Sequence, residues 1–161
     1  MKIKFLTTGG TIDKIYFDAN SKFEVGDSQI NQILSEGNVN IEFEIVPLMR
    51  KDSLELTGDD RQQIFDAISE DPGEHFIVTH GTDTMTTTAA KLMKIEGKTI
   101  VLTGALTPAR FRTTDAVFNL GMAVATVQSK PPGVYIAMSG QVFDAGDVRK
   151  NVEEQRFEKL G

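Results

Sequence analysis

"FLTTGGTI", Phe5–Ile12, decides the fold. An apolar run ends in two threonines, breaks on two adjacent glycines and resumes with a hydroxyl, Thr11. The apolar half, from Ile3 to Leu6, reads as a strand. The glycines read as a turn whose backbone takes conformations closed to residues that carry a Cβ. The stretch poses a question of chemistry: why a hydroxyl stands directly after so permissive a turn.

Working outward, the same arrangement recurs. Ile41–Val46, Phe76–Thr79, Thr99–Thr103 and Val134–Met138 read as further strands. The last three are unbroken apolar runs, as in strands covered on both faces, whereas Ile41, Phe43 and Ile45 alternate with Glu42 and Glu44, as in a half-solvated strand near a sheet edge. Helical spacing falls between them. Ile30, Ile33 and Leu34 form one stripe stopped at Gly37, and Ile64, Ala67 and Ile68 form another behind a capping-box-like Thr57 and Asp60. Met85, Ala89, Leu92 and Met93 form a third. Residues 113–127 are apolar on nearly every side and predict a buried helix, and a last helix is expected from about Val152 to Leu160. Residues 12–26 show no period and are long for a connection, as functional lids often are. Alternating strands and helices imply right-handed crossovers. The expected fold is therefore α/β in three layers, a mostly parallel five-stranded sheet of flavodoxin or Rossmann type, in a single domain over residues 1–161.

Composition narrows the function. The 161 residues carry 17 basic and 23 acidic side chains, a net charge of −6 with no basic run, which argues against a nucleic-acid surface. No apolar stretch is long enough to span a bilayer, and "MKIKFLTTGG" lacks the pattern of a secretory leader, so no membrane partner and a cytoplasmic location are expected. The absence of cysteine fits a reducing compartment and excludes disulfides and thiolate metal sites. His75 and His80 lack metal-ligand spacing and read as a strand-start and a structural turn residue; neither a metal nor a cofactor is expected.

In an open parallel sheet a ligand lies beyond the carboxyl ends of the strands. Three unusual segments fall there: "TTGGT", "THGTDTM" and "TGALTP". Their glycines, Gly10 and Gly81 among them, let backbone amides approach a ligand. Two hydroxyls, Thr11 and Thr82, and one carboxylate, Asp83, become candidates for one site. A hydroxyl attacks a carbonyl once a base takes its proton, amide donors hold the oxyanion, and a carboxylate anchors an amino group. Glycine-rich turns of this kind also bind phosphate or simply turn, and a threonine before a helix is commonly a cap. Neither G-x-G-x-x-G nor G-x-x-x-x-G-K-[ST] occurs.

"TTGGTI" and "THGTDTM", about 70 residues apart, together resemble the two signature segments of the bacterial-type L-asparaginase and glutaminase-asparaginase family. "DSLELTGDD", "VLTGALTPARFRTTDAVFNLGMAVATV" and "GVYIAMSGQVFDAGDVRK" extend the resemblance over essentially the whole chain, to the family's N-terminal domain, with the family's C-terminal domain absent. The resemblance implies an asparaginase-like amidohydrolase without cofactor. Thr11 would be the nucleophile that forms an acyl-enzyme on the side-chain amide of asparagine or a similar small amide. Thr82 and Asp83 would support it with a lysine, Asp83 would also hold the substrate amino group, and Ser53 its carboxylate. Gly10 and Gly81 would line the substrate.

Three positions depart from the family pattern. Leu54 follows Ser53 where a polar residue is common. The flap tyrosine position falls on Phe23, leaving Tyr16 as the substitute. The triad lysine position falls on Glu158, with Lys159 one place later. Because a second domain ordinarily completes the pocket in this family, a homo-oligomer, a dimer, is expected to cover it. The alternatives are a binding module that keeps the small-acid pocket without turnover, or a hydrolase of a different amide or ester.

Overall fold

Strand β5 (His75–Thr79) shows how the core is divided. Phe76 and Val78 point into one apolar cluster and Ile77 into another, the two-residue period of a strand covered on both sides. A computed structural model describes residues 1–17 and 22–161. Strand β1 (Lys2–Gly9) is followed by β2 (Lys14–Phe17), β3 (Lys22–Val25), helix α1 (Ile30–Glu36), β4 (Glu42–Lys51), α2 (Gly58–Ser69) and then β5. Helix α3 (Met85–Leu92), β6 (Thr99–Thr103), α4 (Ala116–Ser129), β7 (Gly133–Met138), β8 (Gln141–Asp144), β9 (Arg149–Asn151) and β10 (Arg156–Glu158) complete the order.

The main sheet has six strands in the order β4-β1-β5-β6-β7-β8. All neighbours are parallel except β7 and β8, which are antiparallel. Helices α2 and α3 bury Ile64, Ile68, Met85, Ala89 and Leu92 on one face. Helices α1 and α4 bury Ile30, Ile33, Leu34, Leu120 and Val127 on the other. Strand β4, with Glu42 exposed and Glu44 half-buried, lies at the edge, as the alternation of Glu42 and Glu44 predicts. The cap of α2 also forms: Thr57 Oγ1 accepts from the Asp60 N–H at 3.2 Å, and the Asp60 carboxylate accepts from the Thr57 N–H at 2.8 Å. None of the described helices is long and apolar enough to cross a membrane.

Four expectations change. The sheet has six strands rather than five, because β8 returns along β7 through a two-residue turn, Ser139 (φ 52°) and Gly140 (φ 83°). The helix expected over Val152–Leu160 is instead the hairpin of β9 and β10, turned at Gln155 (φ 50°) and anchored by the buried Phe157. Helix α4 is buried along one face only; Val117 and Phe118 are exposed. The aperiodic segment 12–26 contains a hairpin of β2 and β3, with Tyr16 opposite Phe23, while residues 18–21 of it lie outside the described residues.

Candidate active site

Counting only the five parallel strands in chain order, the sheet runs 2-1-3-4-5. In this topology the crossovers diverge between the first and third strands, β1 and β5, and the crevice opens beyond their carboxyl ends. The backbones there are in direct contact. Gly10 has φ +85°, and a Cβ on it would stand 2.5 Å from the Gly81 nitrogen. A Cβ on Gly81 would stand 2.6 Å from the Ser53 Cβ. One on Gly104, after β6, would run into the His80 carbonyl oxygen. Hydrogen bonds tie the loops together: Gly10 N–H to Lys51 O at 2.9 Å, Thr84 Oγ1–H to Ser53 O at 2.7 Å, and His80 N–H to Thr103 O at 2.9 Å. The residues that follow, Thr11 and Thr82, therefore leave one point of contact. Gly10→Ala adds both a left-handed alanine and an overlap with the Gly81 backbone, and is expected to lower stability by roughly 3 kcal/mol. Urea unfolding would read this as a reduced midpoint.

Thr11 opens a short 3-10 turn, Thr11–Asp13, whose Ile12 carbonyl accepts from the Ala109 N–H at 3.0 Å. Thr11 faces a pocket of about 320 Å³ shared with Lys14, Phe23, Leu106, Pro108 and Phe111. Phe23, and not Tyr16, lines this pocket. Tyr16 is 53% exposed and rests edge-on against Phe23, with ring centroids 5.5 Å apart. Phe23 in turn meets Phe111 at 5.7 Å.

Beyond β5, Thr82 and Asp83 meet a lysine, and it is Lys150. Its Nζ donates to Thr82 Oγ1 at 2.8 Å and pairs with the Asp83 carboxylate. The expectation of Lys159 is corrected: Lys159 is exposed and follows the last strand. The cause is the hairpin. Neighbouring residues on a strand point to opposite faces, so Lys150 shares the inner face with its cross-strand partner Phe157. Arg149 faces outward with Glu158, to which it donates at 3.0 Å. Glu158 therefore pairs with Arg149 rather than opposing Asp83. Lys150 lies in "DVRKN", and a strand reading of that segment would have found it.

Ser53 begins a second 3-10 turn, Ser53–Glu55, held by a capping box from Asp52, which also pairs with Lys14 at 2.8 Å. Ser53 is 1% exposed and lies behind Gly81. Its hydroxyl has no hydrogen-bond partner among the described residues, a state that costs about 1–3 kcal/mol. Leu54, 73% exposed, lines the adjoining pocket of about 580 Å³ with Lys14, Phe23, Arg50 and Asp52.

Two buried groups titrate unusually beneath the site. Burial lowers the His80 imidazole to about 4, against a hydrogen bond to the Gly81 carbonyl that works the other way. Burial raises the Asp13 carboxyl to about 6, although it accepts from the Gln29 N–H at 2.9 Å. As pH falls from about 6.5 to about 4 the unfolded chain takes a proton on His80 that the folded chain refuses, and stability drops. Over nearly the same range the folded chain takes a proton on Asp13 before the unfolded chain does, and stability rises. Each shift is worth roughly 3 kcal/mol, so the two offset. Asp13→Asn removes the compensating gain and is expected to make stability fall more steeply across that window than in the parent, by roughly 3 kcal/mol. Urea midpoints measured across the window check it.

The domain is thus doubly wound, with a hydroxyl leaving its first strand and a hydroxyl, a carboxylate and a lysine gathered after its third parallel strand. The chain belongs to the asparaginase family: the model of its N-terminal domain (asparaginase, N-terminal) matches residues 2–158. It is 34% identical, over 92% of its length, to a probable periplasmic L-asparaginase of Haemophilus influenzae, of which it covers 46%. The thermostable L-asparaginase from Thermococcus kodakarensis superposes with a TM-score of 0.84 at 26% identity, over 99% of this chain and 51% of that one. A probable cytoplasmic L-asparaginase from Campylobacter jejuni superposes with a TM-score of 0.81 at 26% identity, over 98% and 51%. The chain thus spans about half the length of these relatives.

Proposed function

We propose that this chain carries the catalytic half of an asparaginase-type amidohydrolase. The observation that bears most weight is the Lys150–Thr82–Asp83 cluster, set one residue past the contact of Gly10 with Gly81 in a chain of this family. In this reading the Thr11 hydroxyl oxygen attacks the side-chain amide carbon of L-asparagine and gives its proton to the Thr82 side. The Lys150 charge facing Thr82 Oγ1 favours the proton-accepting form of that hydroxyl. The tetrahedral intermediate collapses, the C–N bond breaks and ammonia leaves with the transferred proton. Water then cleaves the Thr11 ester and releases aspartate. The second oxygen of Asp83, whose first is on Lys150, takes the substrate ammonium, and the unpartnered Ser53 hydroxyl takes its carboxylate. Tyr16 would assist Thr11 only after turning inward from its place on Phe23.

The test is ammonia and aspartate release by the purified protein from L-asparagine, with L-glutamine alongside. Turnover of asparagine is the expected result; a folded protein that releases ammonia from neither overturns the proposal. One observation favours a second reading. The walls beside Thr11 are apolar, from Phe23, Leu106, Pro108 and Phe111, and Leu54 is exposed nearby. These walls suit a bulkier, less polar amide or ester, so N-aryl amides and short acyl esters belong in the same assay. If the chain binds without turnover, saturating aspartate raises the melting temperature while no ammonia appears. The proposal includes a cytoplasmic homodimer whose second copy covers the exposed Phe23 and Phe111; sedimentation equilibrium tests the assembly.

A further inference from the structure

His80 is fully buried directly before the Gly81–Asp83 turn, and each of its ring nitrogens has one partner. Nδ1 lies 2.7 Å from the Gly81 carbonyl oxygen, and Nε2 lies 2.7 Å from Thr88 Oγ1, on the buried side of α3. Thr88 Oγ1 also accepts from Arg61 Nε at 3.1 Å. The partners determine the direction of every bond. A carbonyl oxygen only accepts, so Nδ1 must carry the hydrogen. A guanidinium only donates, so the Thr88 oxygen must accept from it and aim its own single proton elsewhere. The bare Nε2 is the acceptor that proton meets. The opposite tautomer would set the Nδ1 lone pair against the Gly81 oxygen, and burial disfavours the imidazolium.

We infer that Arg61, Thr88 and His80 form a one-way hydrogen-bond relay, Arg61 to Thr88 to His80 to the Gly81 carbonyl, which makes His80 a positioning residue for the Thr82–Asp83 pair. The peptide joining Gly81 to Thr82 is planar and trans, so its C=O and N–H point in opposite directions. A carbonyl held inward on His80 turns the Thr82 N–H away from the core and fixes the rotation of the turn that presents Thr82 and Asp83 to Lys150. The remaining freedom of this turn is taken up by Gly81 against Ser53 and by the Thr84 hydroxyl on the Ser53 carbonyl. Arg61 is itself held by the Leu56 carbonyl at 3.0 Å, which anchors the far end of the relay to the start of α2.

The kinetic arm of the test rests on the amide-hydrolysis reading; the spectroscopic arm does not. In ¹⁵N-labelled protein at about pH 7, where histidine tautomers are resolved, His80 is expected to carry its hydrogen on Nδ1. Thr88→Val leaves Nε2 without its donor and is expected to shift the His80 Nε2 resonance and to move the Gly81 and Thr82 amide resonances. It is also expected to lower kcat for amide hydrolysis roughly ten- to hundredfold and to raise KM, because the turn carries both Thr82 and the Asp83 carboxylate proposed to hold the substrate ammonium. Thr88→Ser should restore all these readouts. Arg61→Leu, at the half-buried end of the relay, should move them in the same direction and keeps the test open if Thr88→Val does not fold. A hydrogen on Nε2 in the parent protein overturns the inference. So does a folded Thr88→Val protein with unshifted Gly81 and Thr82 amides. If no variant or parent releases ammonia, the hydrolysis reading has failed and the amide and tautomer signals still decide the relay.

Discussion

Thr11→Ala is expected to abolish ammonia release from L-asparagine, a loss of about 10³–10⁶-fold in kcat, while the protein still unfolds at nearly the same urea concentration. Among the described residues, the removed hydroxyl and Lys14, whose ammonium is engaged by Asp52, are the polar side chains lining the pocket beside Phe23 and Phe111. The backbone contacts around Thr11 remain, because the turn is held through main-chain groups, the Asp13 N–H on the Gly10 carbonyl and the Ala109 N–H on the Ile12 carbonyl. Alanine at a half-buried position leaves no sizeable cavity, so the loss should appear in turnover alone. Aspartate should still protect the variant against heat, since the proposed carboxylate and ammonium contacts at Ser53 and Asp83 do not involve Thr11. Turnover that survives this substitution would move the nucleophile elsewhere.

The second large effect belongs to Lys150. Lys150→Met keeps the length of the side chain and its packing beside Phe157 but removes the charge from Thr82 and Asp83. A fall in kcat of about 10²–10⁴ is expected, the usual worth of a positioned proton-transfer group. Lys159→Met is the internal control, because the exposed Lys159 touches none of these residues, and its activity should match the parent within about twofold. The reverse pattern, loss at Lys159 and indifference at Lys150, would mean that the last hairpin docks differently when the enzyme works. Stability should change little in Lys150→Met, since Asp83 is left 42% exposed to water rather than stranded in the core.

The layered sheet was readable because its signals are local and repeated. Phe76–Val78 and Ile100–Leu102 are apolar throughout, as strands covered on both faces are, and the edge strand β4 announces itself by alternating glutamates. The loops that carry Thr11 and Thr82 were readable from their glycines, and the structure gives the reason in distances: backbone packs on backbone at Gly10 and Gly81. The C-terminal hairpin was not readable. Val152–Leu160 contains few apolar residues to set a period, and its three-residue strands are held by one buried phenylalanine and a Glu158–Arg149 pair between positions nine apart. A register error there turns Lys150 from the inner face to the outer. The turn Ser139–Gly140 lies in the segment whose resemblance to the family implied a hairpin after the fifth strand, and β8 is that return. Phe23 and Tyr16 differ in which side of a short hairpin they occupy, and only pairing in space decides that.

The Lys150 contact has a consequence for biosynthesis. Lys150 lies 68 positions beyond Thr82 along the chain, and Thr11 comes earlier still. A nascent polypeptide can assemble the first strands and their glycine contacts while the distant hairpin is still inside the ribosome. Until that hairpin emerges and seats Phe157, the hydroxyl and carboxylate after β5 have no cation beside them. On the proposed mechanism, a nascent chain whose last hairpin has not yet seated Phe157 should release no ammonia.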